Sequence, residues 1–182
     1  AWRPFQLAFQ LLALPGLAEP ATKDGQPTAD RTTMDLLWFP TGGGKTEAYL
    51  ALTAFTLFLR RLRKADAPDS GAGVSVLMRY TLRLLTVQQF ERASRLILAC
   101  ELERRQAVKT LGKAPFSIGL WVGAEATPNK VDDARTADGR ARASQLARCP
   151  ACRRTTLIWD AEPTSNRFSV ACDGPGCPMG SD

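Results

Sequence analysis

The strongest constraint on the fold lies at residues 34–46. There a short apolar run, MDLLWF, ends in Pro40-Thr41-Gly42-Gly43-Gly44-Lys45-Thr46, and a helical stretch of about 45–64 follows. Successive glycines let backbone N–H groups turn inward on an anion, and the helix opening behind them adds its partial positive charge at the same point. A lysine and a hydroxyl next in line complete a nucleoside-triphosphate grip, with Lys45 reaching the β- and γ-phosphates and the Thr46 hydroxyl ligating Mg²⁺. On this reading Thr41, Gly42, Gly43, Gly44, Lys45 and Thr46 hold ATP, and Lys45 and Thr46 carry the catalytic share. The strict G-x-x-x-x-G-K-T spacing fails at its first position, Phe39, and a glycine-rich turn before a structural helix is the plainer alternative.

The rest of the chain is organised around that loop. Residues 3–14 carry apolar side chains at helical spacing until Pro15-Gly16 stops them, and residues 18–33 read as a loop. Two further apolar runs, 74–78 and 116–122 (FSIGLWV), have the length of buried strands, and a second long helix fits residues 84–109. Strand, helix, strand, helix, strand predicts an α/β fold, a parallel sheet with helices on its faces. With 182 residues, 45% hydrophobic and 23% charged, the chain has room for such a lobe over 1–145 and a small annex over 146–182. Its abrupt stop at Cys177-Pro178-Met179-Gly180-Ser181-Asp182 reads as a piece of a longer protein.

The annex has its own chemistry. Cys149-Pro150-Ala151-Cys152 and Cys172-Asp173-Gly174-Pro175-Gly176-Cys177 are two close pairs, C-x2-C and C-x4-C, and each can wrap one side of a tetrahedral Zn²⁺. Strands over 155–160 and 167–171 with a turn at 162–166 would make the stretch between them a hairpin, a zinc-ribbon-like insertion. Disulfides are the alternative in an oxidising compartment, and iron also accepts four thiolates. Cys100, alone in a helix, is a small core residue. Arg148, Arg153, Arg154 and Arg167 give the module either a nucleic-acid face or merely a solvated one.

A net charge of +6, from 24 Lys and Arg against 18 Asp and Glu, favours a polyanion partner or a merely soluble basic surface. The chain has no histidine, which excludes imidazole bases and imidazole metal ligands. No apolar run reaches the roughly 20 residues that span a bilayer, so no membrane partner and a cytoplasmic location are expected.

Pro40 to Thr46 also matches the P-T-G-x-G-K-T variant of superfamily 2 helicases, and other segments resemble elements of the same family. Arg3-Pro4-Phe5-Gln6-Leu7-Ala8 resembles the adenine-reading R-P-x-Q-x-x-A, in which the Gln6 amide would both donate to and accept from one base edge. An amphipathic helix is the other reading, and the spacing requires 17–33 to be an insertion. Residues 81–88 resemble the backbone-contact motif Ia, with Arg79 and Arg83 flanking the strand end. Gly123 and Thr127-Pro128-Asn129 resemble further backbone-contact elements; solvated cations and a simple turn are the alternatives there.

Taken together, FPTGGGKTEAYL, VLMRYTLRLLTVQQFERA and GLWVGAEATPN resemble the helicase-like subunits of the DISARM phage-defence system, whose relatives include DNA-repair helicases associated with a DUF1998 region. The resemblance implies that 1–145 is a first RecA-like P-loop NTPase lobe. It further implies an ATP-dependent DNA helicase or translocase, with DNA contacted by Arg79, Arg83 and Thr127 and a DUF1998-type protein as partner. The motif II acid pair is missing, since Asp132-Asp133 sits in a polar loop. A regulatory ATP-binding or nucleic-acid-docking module that never turns over is the alternative of a different class.

Overall fold

The computed structural model describes residues 2–19, 22–27, 32–40, 42–63, 71–80, 83–123, 126–128, 130–154, 157–161 and 167–180. The chain divides into two compact units, residues 1–78 with 103–115, and residues 79–102 with 116–182.

In the first unit, α1 (Pro4–Ala18) starts with proline at its first turn, where a missing N–H costs nothing. Gln6 closes the helix start, its Oε1 accepting from the Arg3 N–H at 2.8 Å. The stop expected at Pro15 is corrected: the helix runs through it for another turn and ends when the Glu19 N–H finds Pro15 O at 2.8 Å. A proline removes one intrahelical bond and crowds the turn before it, and the helix absorbs this one in its last turn. A two-residue antiparallel ribbon, β1 (Thr22–Lys23) and β2 (Gln26–Pro27), follows.

Helix α2 (Lys45–Arg63) has Glu47 in its first turn and Arg60, Arg61 and Arg63 in its last, the arrangement the helix dipole favours. Its packed side meets α1: Ala48 is fully buried, and Phe9 and Tyr49 meet edge to face at 5.8 Å. Arg63 caps the far end of α1 by donating to Ala18 O. Arg60 ties residues 71–74 to the same end of α2, donating to Ala72 O (2.6 Å) and Val74 O (2.9 Å). Arg61 is buried and donates to Pro115 O.

Helix α3 (Arg83–Gln106) belongs mostly to the second unit, where Ala93, Ile97 and Cys100 recur at helical spacing on its buried side. Cys100 is the small core residue expected of it. Ala107 then breaks the geometry, and α4 (Val108–Leu111) closes with Gly112 at φ +79° in place of a helix continuing to 109. Glu101 accepts the N–H of Phe116 at 2.9 Å and so fixes where the following segment departs.

Residues 123–145 contain α5 (Val131–Ala134) and α6 (Ala137–Ala143). Thr136 caps α6, its Oγ1 accepting from the Gly139 N–H at 3.0 Å. The chain ends in an antiparallel hairpin, β3 (Leu157–Ala161) and β4 (Phe168–Cys172), in the register Leu157↔Cys172 to Ala161↔Phe168.

The expected parallel sheet, and with it the RecA-like lobe, is corrected. Among the described residues the strands form two separate two-stranded antiparallel sheets, alongside six helices. Among the described residues, 34–39, 74–78 and 116–122 have no ladder partners. Trp38 is 87% exposed, Leu77 90% and Trp121 99%. An apolar composition suits a buried strand, but only a hydrogen-bonded neighbouring strand makes one, and among the described residues none of the three has such a neighbour. Among the described residues no helix is long and apolar enough to cross a membrane.

Candidate functional site

The cysteine module is built from its backbone outward. Cys149 closes a turn on both sides: the Arg153 N–H donates to Cys149 O and the Cys149 N–H to Arg154 O, each at 2.9 Å. Arg153 takes a left-handed φ of +64° to make that turn. The hairpin register then carries Cys172, at the end of β4, across from Leu157. Beyond it the Cys177 N–H donates to Gly174 O (3.0 Å) and the Cys172 N–H to Met179 O (2.9 Å), closing the last loop on itself. On the other flank the Ala147 N–H donates to Glu91 Oε1 at 3.4 Å, which moors the module to α3.

These bonds bring the four sulfurs of Cys149, Cys152, Cys172 and Cys177 within 4.8 Å of one another. The Cys149–Cys177 and Cys152–Cys172 sulfurs are 3.6 and 3.5 Å apart. A tetrahedral ion with metal–sulfur bonds of about 2.3 Å separates its sulfurs by about 3.8 Å, close to what is found. None of the five cysteines is joined in a disulfide, so the disulfide alternative is not the arrangement adopted. Gly174 makes room for the centre: a Cβ there would lie 3.3 Å from both Cys152 and Cys172 Sγ. Nothing in the sequence pattern singled out Gly174, though a glycine inside a C-x4-C loop is the signal that could have.

The thiols do not ionise alike. Cys152 is drawn down to about 7, chiefly because the Arg154 backbone N–H donates to its sulfur. The Gly174 N–H pulls Cys172 the same way, but burial and the three neighbouring thiols outweigh it and push Cys172 up to about 12. Burial also raises Cys149. Four sulfurs this close cannot all carry charge near neutral pH unless a cation lies among them, and four filled positions leave no open site for chemistry. The donor set therefore suits a structural, thiophilic ion.

At the glycine loop, Gly42 and Gly44 take φ of +79° and +93°, conformations that L side chains seldom adopt. Gly43 is buried against the Phe39 ring, and the Phe5 and Phe39 rings stack at 3.9 Å. The Lys45 ammonium donates back to Phe39 O (2.5 Å) and Pro40 O (3.2 Å). Gln6 comes to the loop from 38 residues away, its Nε2 donating to Gly44 O at 2.7 Å, and Arg3 donates to Gly43 O at 3.0 Å. Gln6, Gly43, Gly44 and Lys45 are thus brought together, with Thr46 half-buried in the first turn of α2 and Gly42 exposed. Arg3, which sequence reasoning quoted only as part of a string, joins them. Thr41 lies outside the described residues.

Of the expected nucleic-acid contacts, Arg79 is exposed, outside any helix or strand, and Thr127 is half-buried. The side chain of Arg83 lies outside the described residues. Asp132 pairs with Arg135 at 3.0 Å.

The DISARM protein DrmA of Bacillus paralicheniformis is 54% identical over 134 residues, 72% of this chain. This chain resembles DrmA. It spans 11% of that relative's length. Only 37 residues lie in 146–182, so the likeness to DrmA falls mostly on the residues before the cysteine module. No family model matches the chain, and no solved structure matches it.

Proposed function

We propose that this chain is a segment of a DISARM-type anti-phage defence protein that works on DNA with ATP, in the manner of a helicase or translocase, alongside a DUF1998-type protein partner. The 54% identity to DrmA is the observation that carries the reading. In it Gly42 to Thr46 hold the triphosphate. The left-handed glycines suit an anion's approach, since a Cβ at Gly42 would meet nothing within 4 Å and the loop presents open backbone there. The Lys45 ammonium, held on two neutral carbonyls, exchanges them for phosphate oxygens, a stronger charge-assisted contact. Thr46 is the residue whose hydroxyl would hold Mg²⁺, an ion that would supply charge neutralisation to the triphosphate.

Gln6 fixes the loop through Gly44 O, and the second N–H of its amide is the one left for an adenine edge. Arg79, Arg83 and Thr127 contact DNA through its phosphates. Zn²⁺ is the ion assigned to the four thiolates, holding Cys149, Cys152, Cys172 and Cys177 as a structural tie.

The test uses the full-length protein in cells challenged with phage and, purified, in a DNA-stimulated ATPase assay. Lys45→Ala is expected to abolish both hydrolysis and protection while leaving the circular dichroism spectrum unchanged. Hydrolysis at the parent rate would sink the phosphate-loop reading. Protection equal to the parent's, with hydrolysis lost, would favour an ATP-binding module that acts without turnover.

A further inference from the structure

We infer that Arg148, Arg153 and Arg154 form a nucleic-acid backbone site on the cysteine module, in addition to the contacts proposed for Arg79, Arg83 and Thr127. Between Asp138 and Asp160 the chain carries five arginines and no carboxylate. Of these five, Arg142 pairs back with Asp138, as Arg135 just before them pairs with Asp132, both at 3.0 Å. Arg148, Arg153 and Arg154 are exposed and have no such pair among the described residues.

The backbone draws these three together. Arg153 and Arg154 are bonded to Cys149 at its carbonyl and its N–H, and Arg148 precedes Cys149 directly. Three guanidiniums thus leave one small turn whose main chain is fixed by a buried cysteine. Fixing the main chain beforehand lowers the entropy lost when the side chains are ordered on a ligand.

Arg153 supplies an independent observation. Its φ of +64° is a conformation in which a side chain costs about 1–2 kcal/mol and glycine costs little. An arginine at a place that glycine fills with less strain points to work done by the guanidinium. Its planar fork suits phosphate oxygens, and an exposed, unpaired group gives up little to reach them. Phosphate contact without base contact makes the site indifferent to sequence and sensitive to salt.

The partner class rests on the DNA reading above, while the site is its own. The measurement is a fluorescence-anisotropy salt titration of the zinc-loaded chain against labelled single-stranded and duplex oligonucleotides of several unrelated sequences. The parent is compared with Arg153→Gly and with the triple variant Arg148→Ala, Arg153→Gly, Arg154→Ala. Arg153→Gly removes a charge and relieves the backbone, so zinc stoichiometry and thermal stability should hold or rise. Its DNA affinity should fall about eightfold at about 0.1 M salt, and the slope of log affinity on log salt should flatten by roughly 0.7–0.9, with about three times that change in the triple variant.

Equal slopes in parent and variants, with DNA still bound, would overturn this site and leave the DNA reading standing. Zinc loss in Arg153→Gly would also overturn it, by making the arginine a structural counter-charge to the thiolates. A parent that binds no oligonucleotide at low salt would overturn both.

Discussion

Replacing Gly174 with alanine tests the metal centre without touching a ligand. Gly174 does not take a left-handed φ, so alanine strains no backbone there, and what it adds is one methyl group 3.3 Å from the sulfurs of both Cys152 and Cys172. Carbon and sulfur rest comfortably some tenths of an ångström farther apart. Both sulfurs must therefore yield, and they belong to the pair found 3.5 Å apart. Overpacking of this kind costs about 1–3 kcal/mol. That cost weighs most on the metal-bound state, where the ion fixes the sulfurs that the backbone has already gathered, so zinc affinity should drop by up to roughly 5- to 140-fold.

The assay is competition with a chromophoric chelator. Co²⁺ substitution reports the tetrahedral thiolate geometry, and circular dichroism follows the hairpin. Gly176→Ala serves as a comparison, since its cost arises from a φ of +67° with nothing within 4 Å of the added carbon. It should weaken folding of the loop without distorting the cobalt spectrum. Parent-like zinc affinity in Gly174→Ala would refute the assignment of these four sulfurs to one ion.

Zinc affinity should fall as the solution is acidified, and more steeply below about pH 7. There Cys152 also holds a proton that the ion must displace, in addition to those on Cys149 and Cys172. Chelator competition across pH 6 to 8 checks this, and a dependence that flattens on acidification would contradict it. Thr136→Ala should destabilise the second unit by about 1 kcal/mol, because the Gly139 N–H loses its cap, and urea denaturation reads that shift directly. Glu101→Ala should cost about 1–3 kcal/mol in the same assay by leaving the Phe116 N–H buried and unpaired; an unchanged midpoint would mean water replaces the carboxylate.

The helices over 45–63 and 83–106 were legible because helical order is local: the apolar spacing and the basic end lie within each segment that folds, and 45–63 adds an acidic start at Glu47. The cysteine centre was legible for a related reason, since two short spacings and one donor type define a tetrahedral cage whatever lies between them. Pro15 misled because breaking a helix is a matter of energy, and near a terminus that energy is small enough to absorb. The sheet misled more seriously. MDLLWF and FSIGLWV announce extended backbone, but pairing is a property of two segments at once, and neither string encodes its neighbour. The clasp of Arg3 and Gln6 on the glycine loop spans about 40 residues and was visible only as a familiar string, without the bonds that give it a purpose.

The bared apolar segments set how this polypeptide behaves when handled. Residues 116–122 carry no charge and no proline, and Trp121 stands almost wholly in water. Phe116 is held through its N–H by Glu101, but the largely exposed, uncharged stretch that follows it is a template for cross-β stacking between molecules. Residues 74–78 add a second uncharged stretch, whereas Asp35 breaks up 34–39 and acts as a gatekeeper. Shelf life will therefore be governed by concentration and by whatever caps 116–122, ahead of thermal unfolding, and a lysine placed at Trp121 would be the first change to make for a better-behaved sample.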